Sequence, residues 1–313
     1  MKIMVFGLGA LGTVYSCLLK NQGHEVSGLD RDAVAAAVQS QGVKVSGIWG
    51  DHEARLDRIL TAPEEMAGLD FDLLILTVKS YETASVMEQI ARFVCPRAYI
   101  MLAQNGYGNF EAAAQWIPAE RIILGRIIFG AETTGLGASK VTVIADDVII
   151  GSPANLVASQ VLEDFSCVFS SAGIPTRFSP EVMKFVWGKI IYNSALNPLG
   201  AILEVPYGKL AENPHTRDLM DNIITEIFEV LKAHGQDTPW PDAKAYQEAF
   251  YGQMVPSTVL HHASMLQDIE RGRKTEIEAL NGAVVSLGKQ HGVATPVNEV
   301  IVSILKAKEE MQN

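Results

Sequence analysis

Six residues near the start of the chain, Gly7-Leu8-Gly9-Ala10-Leu11-Gly12, constrain its fold more than any other feature. An apolar run over 2–6 leads into them and an amphipathic stretch over 10–21 leads out, so the three glycines stand at a strand-to-helix turn. The first glycine permits the tight turn. The second lets backbone approach a pyrophosphate, and the third lets helix and strand pack closely, while the helix N-terminus offers N–H donors and a positive dipole end. This context predicts a dinucleotide-binding βαβ unit on Gly7, Leu8, Gly9, Ala10, Leu11 and Gly12. A purely structural turn, or a methyltransferase-type glycine loop for another nucleotide, is the competing reading.

The alternation continues through the first half. Strands are expected at 2–6, 25–29, 73–78, 99–103, 121–128 and 141–150, with helices at 10–21, 33–41, 81–93 and 109–116. That order predicts an open, mostly parallel sheet with helices on both faces. Thr134-Gly135-Leu136-Gly137 predicts a hairpin that extends the sheet. One more helix is expected at 156–171, and then Gly173-Ile174-Pro175 and Ser179-Pro180 mark an inter-domain joint. Beyond it the period is helical: 182–203, 216–234, 242–251, 257–271, 275–290 and 296–310. The fold class expected is therefore α/β, a Rossmann-type dinucleotide-binding domain over 1–177 followed by an all-helical domain over 178–313.

The bulk properties remove other function classes. At 313 residues the chain exceeds one usual core. The net charge of −11 disfavours a nucleic-acid binder, and Arg271-Gly272-Arg273-Lys274 reads as a solvated helix face. Cys17, Cys95 and Cys167 match no metal or redox spacing; each reads as a small buried hydrophobe, and no metal is expected. The apolar run meets Gly7 too early for a signal peptide, and no segment has the length of a membrane span, so a cytoplasmic enzyme is expected. A homodimer through the helical domain is one arrangement open to it.

Two local patterns carry chemistry. The second strand ends at Asp30-Arg31, where a carboxylate would favour the ribose of NAD and a guanidinium the 2′-phosphate of NADP. In the apolar stretch 185–198, Lys189, Asn193 and Asn197 fall at i, i+4 and i+8, on one face of a helix, with Pro198 expected to disturb the backbone behind them. Such a stripe faces solvent or a polar cavity. In a cavity, a lysine would oppose the negative charge that grows on a carbonyl oxygen during hydride transfer, and then deliver the proton. Glu276, expected in the first turn of a helix beginning at Lys274 or Thr275, either caps that helix or holds the lysine's charge and a substrate hydroxyl.

Taken in order, the turn Gly7–Gly12, Thr77-Val78-Lys79, Gln104-Asn105-Gly106-Tyr107-Gly108, Trp187-Gly188-Lys189, Asn193, Asn197-Pro198-Leu199, Ser264-Met265-Leu266-Gln267-Asp268, Thr275-Glu276-Ile277-Glu278 and Asn281-Gly282 resemble the ketopantoate reductase (2-dehydropantoate 2-reductase) family over nearly the whole chain. The resemblance implies an NADPH-using reductase of a branched 2-keto acid, serving pantothenate and coenzyme A synthesis, with its site in the cleft between the two domains. It implies Lys189 as the catalytic lysine and Glu276 as the carboxylate for the substrate hydroxyl. Asn193, Asn197 and Ser264 would bind substrate, the serine at its carboxylate end. Lys79 and Asn105 would lie near the nicotinamide and its ribose, and Arg31 would meet the 2′-phosphate.

Some positions depart from the family pattern. Tyr207 and His261 stand where pantothenate-making members carry asparagines, Gly200 replaces a threonine, and Asp30 adds a carboxylate beside the presumed phosphate site. A paralogous reductase of another 2-keto acid or imine is the alternative in the same class, and a non-catalytic NADP(H) sensor the alternative in another. NAD remains the alternative cofactor because of Asp30.

Overall fold

The computed structural model describes residues 1–312. Two compact units emerge: Met1–Gln104 with Asn109–Val182, and the chain from Met183 onward with the tetrapeptide Asn105–Gly108.

The strands of the first unit are β1 (Lys2–Phe6), β2 (Glu25–Leu29), β3 (Val43–Gly47), β4 (His52–Ala54), β5 (Arg58–Leu60), β6 (Leu73–Leu76), β7 (Tyr99–Leu102), β8 (Ile122–Arg126), β9 (Phe129–Gly135), β10 (Ala138–Ile144), β11 (Val148–Gly151) and β12 (Thr176–Phe178). Eight of them form one sheet in the order β12-β11-β8-β7-β6-β1-β2-β5. Every pairing in it is parallel except β8 with β11. Strands β2 and β6 flank β1 on opposite sides, so the winding reverses there and the carboxyl end of β1 opens onto a topological switch point. The helices of this unit are α1 (Ala10–Asn21), α2 (Asp32–Gln41), α3 (Thr83–Ile90), α4 (Asn109–Ala114) and α5 (Ser159–Ser171).

Alternation along the strands explains the layering. Ile3, Val5, Leu73, Ile75, Met101 and Ile123 share a core with Val14 and Leu18 of α1 and Phe165 and Phe169 of α5. Their neighbours Met4, Leu74, Leu76, Ile100 and Leu102 are equally buried, so both sheet faces are covered, as parallel sheets require.

Three expectations are corrected in this unit. The hairpin β9–β10 forms, but it joins β3 and β4 in a separate sheet, β4-β3-β10-β9, and does not extend the main one. The cause is α1. Residues 12–19 of that helix are buried all round, so its far side needs a second apolar cover, which Val43, Val45, Phe129 and Val141 provide. The run 141–150 is two strands, parted at Ala145-Asp146-Asp147. Cys17 is buried, whereas Cys167 is exposed on α5 and is no core hydrophobe.

The second unit is helical: α6 (Val182–Leu203), α7 (Tyr207–Glu212), α8 (Pro214–His234), α9 (Ala243–Ala249), α10 (Ser264–Glu270), α11 (Asn281–His291) and α12 (Pro296–Gln312). Helix α6 is the central element, with Trp187, Ile190, Ile191, Ala195 and Leu196 almost wholly buried among α8 and its neighbours. Helix α8 starts on Asn213, whose side chain accepts from His215 N at 2.9 Å, and stops at left-handed Gly235. Two expected helices prove shorter. Only 264–270 of the 257–271 stretch is α-helical, and a 3₁₀ turn at Ile277–Ala279 precedes α11 because Leu280 adopts φ −108°, ψ −102°. Arg271, Arg273 and Lys274 are exposed as expected, but in a turn after α10 instead of on a helix face. Among the described residues no helix is long and apolar enough to cross a membrane.

Candidate active site

The glycine turn occupies the carboxyl end of β1. Gly7 adopts φ +92°, and a Cβ there would lie 2.9 Å from Thr77 Oγ1. A Cβ on Gly12 would lie 1.7 Å from Gly7 O, so only glycine lets α1 start this close to the strand. Thr77, just past β6, braces the turn by donating to Gly7 O at 2.6 Å. Gly9 differs from both: a Cβ there would meet nothing within 4 Å. Gly9 is also the N-cap of α1, with no side-chain cap and no acid in the first turn. Open space over Gly9 and uncapped N–H groups beside it fit a pyrophosphate, so the residues present fit a dinucleotide.

Asp30 and Arg31 separate in their surroundings. The Asp30 carboxylate turns inward, accepting from Leu8 N at 2.5 Å and from Arg31 N at 2.7 Å, and its side chain is 12% exposed. The Arg31 side chain is 89% exposed. Lys79 sits half-buried past the end of β6, at the start of a 3₁₀ turn, two residues from the brace at Thr77.

In the second unit, α6 places Lys189, Asn193 and Asn197 on one face as the spacing requires. Pro198 does not break the helix, which runs on to Leu203. Lys189 is half-buried, and its Nζ donates to Asn105 Oδ1 at 2.6 Å. Asn105 Nδ2 in turn donates to Glu276 Oε2 at 3.2 Å. With an ammonium on one side and a carboxylate on the other, the orientation of this amide is forced. Glu276 is 8% exposed. It stands at the N-cap of the 3₁₀ turn, outside α11, and its side chain makes no capping bond. The carboxylate is thus committed to the polar array and not to a helix end.

The loop that carries Asn105 is clamped by the two segments it bridges. Tyr107 N donates to Ala279 O at 2.8 Å, and the Tyr107 ring stacks on Trp187 at 5.1 Å. Gly106 makes this approach possible, since a Cβ there would come within 2.4 Å of Ala279 O. Ala279 follows Glu276 by one turn and Trp187 precedes Lys189 by two residues, so one docking event sets both ends of the array.

Asn193 and Asn197 are buried, at 9% and 5% exposure. Tyr207 Oη donates to Asn197 Oδ1, which leaves the Asn197 Nδ2 hydrogens for an acceptor such as a substrate oxygen. The Tyr207 ring lies 5.3 Å from that of His261 and borders the space beside Gly200, where a Cβ would be 3.7 Å from Tyr207 Cε1 and 3.1 Å from Ala263 Cβ. Ala263 is the tight neighbour of position 200, while the Tyr207 ring stands at ordinary contact distance. Ser264 is exposed at the first residue of α10 and, among the described residues, makes no side-chain hydrogen bond. The sequence reading missed the brace from Thr77 and the bond from Tyr207. In the sequence, position 207 stands out only as a departure from the family pattern, and nothing local announces its contact with Asn197.

The comparisons with known proteins agree over the full length. The profile of the family described as ketopantoate reductase PanE/ApbA matches residues 3–155, and that of its C-terminal part, ketopantoate reductase PanE/ApbA C terminal, matches residues 181–309. The chain is 45% identical over 309 residues to a 2-dehydropantoate 2-reductase of Aquifex aeolicus, covering 99% of this chain and 97% of that one. It is 30% identical over 312 residues to a 2-dehydropantoate 2-reductase of Pyrococcus abyssi, covering 100% and 99%. Among solved structures, a D-mandelate dehydrogenase with NADH and anilino(oxo)acetate is similar at 25% identity and a TM-score of 0.88, with 100% of both chains covered. A PanE/ApbA family ketopantoate reductase from Ralstonia eutropha is similar at 26% identity and a TM-score of 0.87, covering 100% of this chain and 99% of that one.

Proposed function

This chain belongs to the ketopantoate reductase family, and we propose that it catalyses the NADPH-dependent reduction of 2-dehydropantoate to pantoate, with Lys189 as proton donor. The observation that carries this reading is the Lys189–Asn105–Glu276 array. Reduction of a 2-keto acid develops negative charge on the carbonyl oxygen, which a half-buried ammonium stabilises and then protonates. The Asn105 amide links the two charged groups, accepting from the lysine and donating to the carboxylate. Lys189 can therefore turn a proton to the keto oxygen while Glu276 accepts from the substrate hydroxyl. Asn193 and Asn197 supply neutral donors to substrate oxygens, and Ser264 serves the carboxylate end.

Bound NADPH would supply the hydride. The turn Gly7–Gly12 would hold its pyrophosphate, Arg31 its 2′-phosphate, and Lys79 and Asn105 the region of the nicotinamide and its ribose. The inward turn of Asp30 and the exposure of Arg31 support NADP over NAD. NAD is the alternative, and the similar D-mandelate dehydrogenase was solved with NADH.

A second reading within the class is a reductase of a different 2-keto acid or imine, favoured by Tyr207, whose hydroxyl occupies the Asn197 carbonyl oxygen. A non-catalytic sensor would have no use for a buried carboxylate wired to a lysine. The deciding experiment is steady-state oxidation of NADPH and of NADH with ketopantoate and with smaller and bulkier 2-keto acids. Ketopantoate with NADPH is expected to have the largest kcat/KM. A markedly larger value for another keto acid would replace the substrate, and none for any would overturn the reductase reading.

A further inference from the structure

Pro198 lies inside α6 and has no N–H for the carbonyl four residues back, which is Ser194 O. A side chain from elsewhere provides the donor: Asn281 Nδ2 reaches Ser194 O at 3.1 Å. Asn281 is fully buried at the first residue of α11. The same Nδ2 donates to Asn298 Oδ1 at 2.9 Å, and Asn298 Nδ2 donates to Glu226 Oε2 at 2.7 Å. Glu226, in α8, also accepts Val297 N at 2.8 Å and Asn298 N at 3.0 Å at the start of α12, where a carboxylate suits the helix dipole.

The polarity of this chain of bonds has one source. An ionised carboxylate only accepts, so Asn298 must present its Nδ2 to Glu226 and its Oδ1 to Asn281. Asn281 must then present Nδ2 both to Asn298 and to Ser194 O. If the Asn281 amide were flipped, an oxygen would face two acceptors in a buried site. Ser194 stands in the turn of α6 between Asn193 and Asn197, directly beside the stripe that begins at Lys189.

We propose that Asn281 is a positioning residue: it replaces the hydrogen bond removed by Pro198, and so keeps Asn193 and Asn197 in helical register with Lys189, its own orientation being set by Asn298 and Glu226. The positioning part rests on the reading of this face of α6 as the substrate-binding site.

The test is a double-mutant cycle in the full chain with Asn281→Ala, Pro198→Ala and the two combined. Asn281→Ala is expected to lower kcat and raise the keto-acid KM, together at least about tenfold in kcat/KM, with the NADPH KM little changed. Pro198→Ala restores a backbone N–H to Ser194 O. The double variant should therefore recover most of the loss in kcat/KM and in melting temperature. If Asn281→Ala does not fold, recovery of folded, active protein in the double variant supports the proposal in the same way. Equal losses with and without Pro198, or a double variant that stays unfolded, overturn it. Should the wild-type protein reduce no keto acid, the functional reading fails alone, and the melting temperatures still decide whether Asn281 stands in for the missing N–H.

Discussion

Lys189 Nζ donates to Asn105 Oδ1 at 2.6 Å, a contact between residues 84 positions apart in sequence. It joins the cation of α6 to a loop whose own amide is bonded to the Glu276 carboxylate. If this lysine is the proton donor, Lys189→Ala should lower turnover by about 10²-fold or more while NADPH binding stays nearly constant. Single-turnover kinetics with a parallel cofactor titration check this. Undiminished turnover would remove the lysine from the mechanism.

The Asn105 amide carries a second prediction. Asn105→Asp keeps an oxygen for Lys189 but takes away the Nδ2 donor to Glu276, whereas Asn105→Ala removes both bonds. Each variant should lower turnover by about 10²-fold, as misplacement of a reacting group does. Steady-state kinetics with the keto acid check this, and undiminished turnover in both variants would contradict the bridge.

Two glycines of the turn should respond in different ways. Gly12→Ala forces a Cβ to 1.7 Å from Gly7 O and should cost about 3 kcal/mol of stability or more. Gly9→Ala meets no protein atom within 4 Å, so its melting temperature should change little, by no more than about 1 kcal/mol in stability. Its cofactor affinity should nevertheless fall about tenfold, the scale of one backbone-to-phosphate hydrogen bond. Thermal unfolding with and without NADPH separates the two effects.

Arg31, 89% exposed beside an inward-turned Asp30, should discriminate between the cofactors. Arg31→Ala is expected to raise the NADPH KM roughly tenfold to a hundredfold, on the scale of a hydrogen bond to a charged group, and to leave that for NADH nearly unchanged. Equal losses for both cofactors would make Asp30 the governing residue and NAD the partner.

At the rim, burial pushes the Tyr207 phenol far above its ordinary pKa, so it remains an O–H donor to Asn197 at any working pH. Tyr207→Phe leaves Asn197 Oδ1 without that donor and frees the amide to turn. A loss of about 1–2 kcal/mol in stability is expected, with a raised keto-acid KM and an unchanged NADPH KM. An unaltered keto-acid KM would remove Tyr207 from substrate selection.

Several elements could be read directly from residue order. The helix over Ala10–Asn21, the strands Lys2–Phe6 and Glu25–Leu29, and the whole of Val182–Leu203 have the bounds that apolar period and glycine punctuation predict. Placing Lys189, Asn193 and Asn197 on one face follows from 3.6 residues per turn alone. Short strands such as Val43–Gly47 and Arg58–Leu60 are not legible in that way, because Arg-Ile-Leu is only three residues long and Val-Lys-Val-Ser-Gly holds only two apolar residues.

The chain order alone therefore determined the class of fold, the glycine turn and which side chains share the face of α6, since each is set by neighbours within a few residues. Only tertiary structure decided that Asn105 would stand between Lys189 and Glu276, that Tyr207 would hold Asn197, and that Asn281 would fill the gap at Pro198. Those pairings join positions from 10 to 171 residues apart, and most depend on how segments dock, as with Gly106 against Ala279 O. A periodic pattern specifies a direction for each side chain. It does not specify what the fold will bring to meet it.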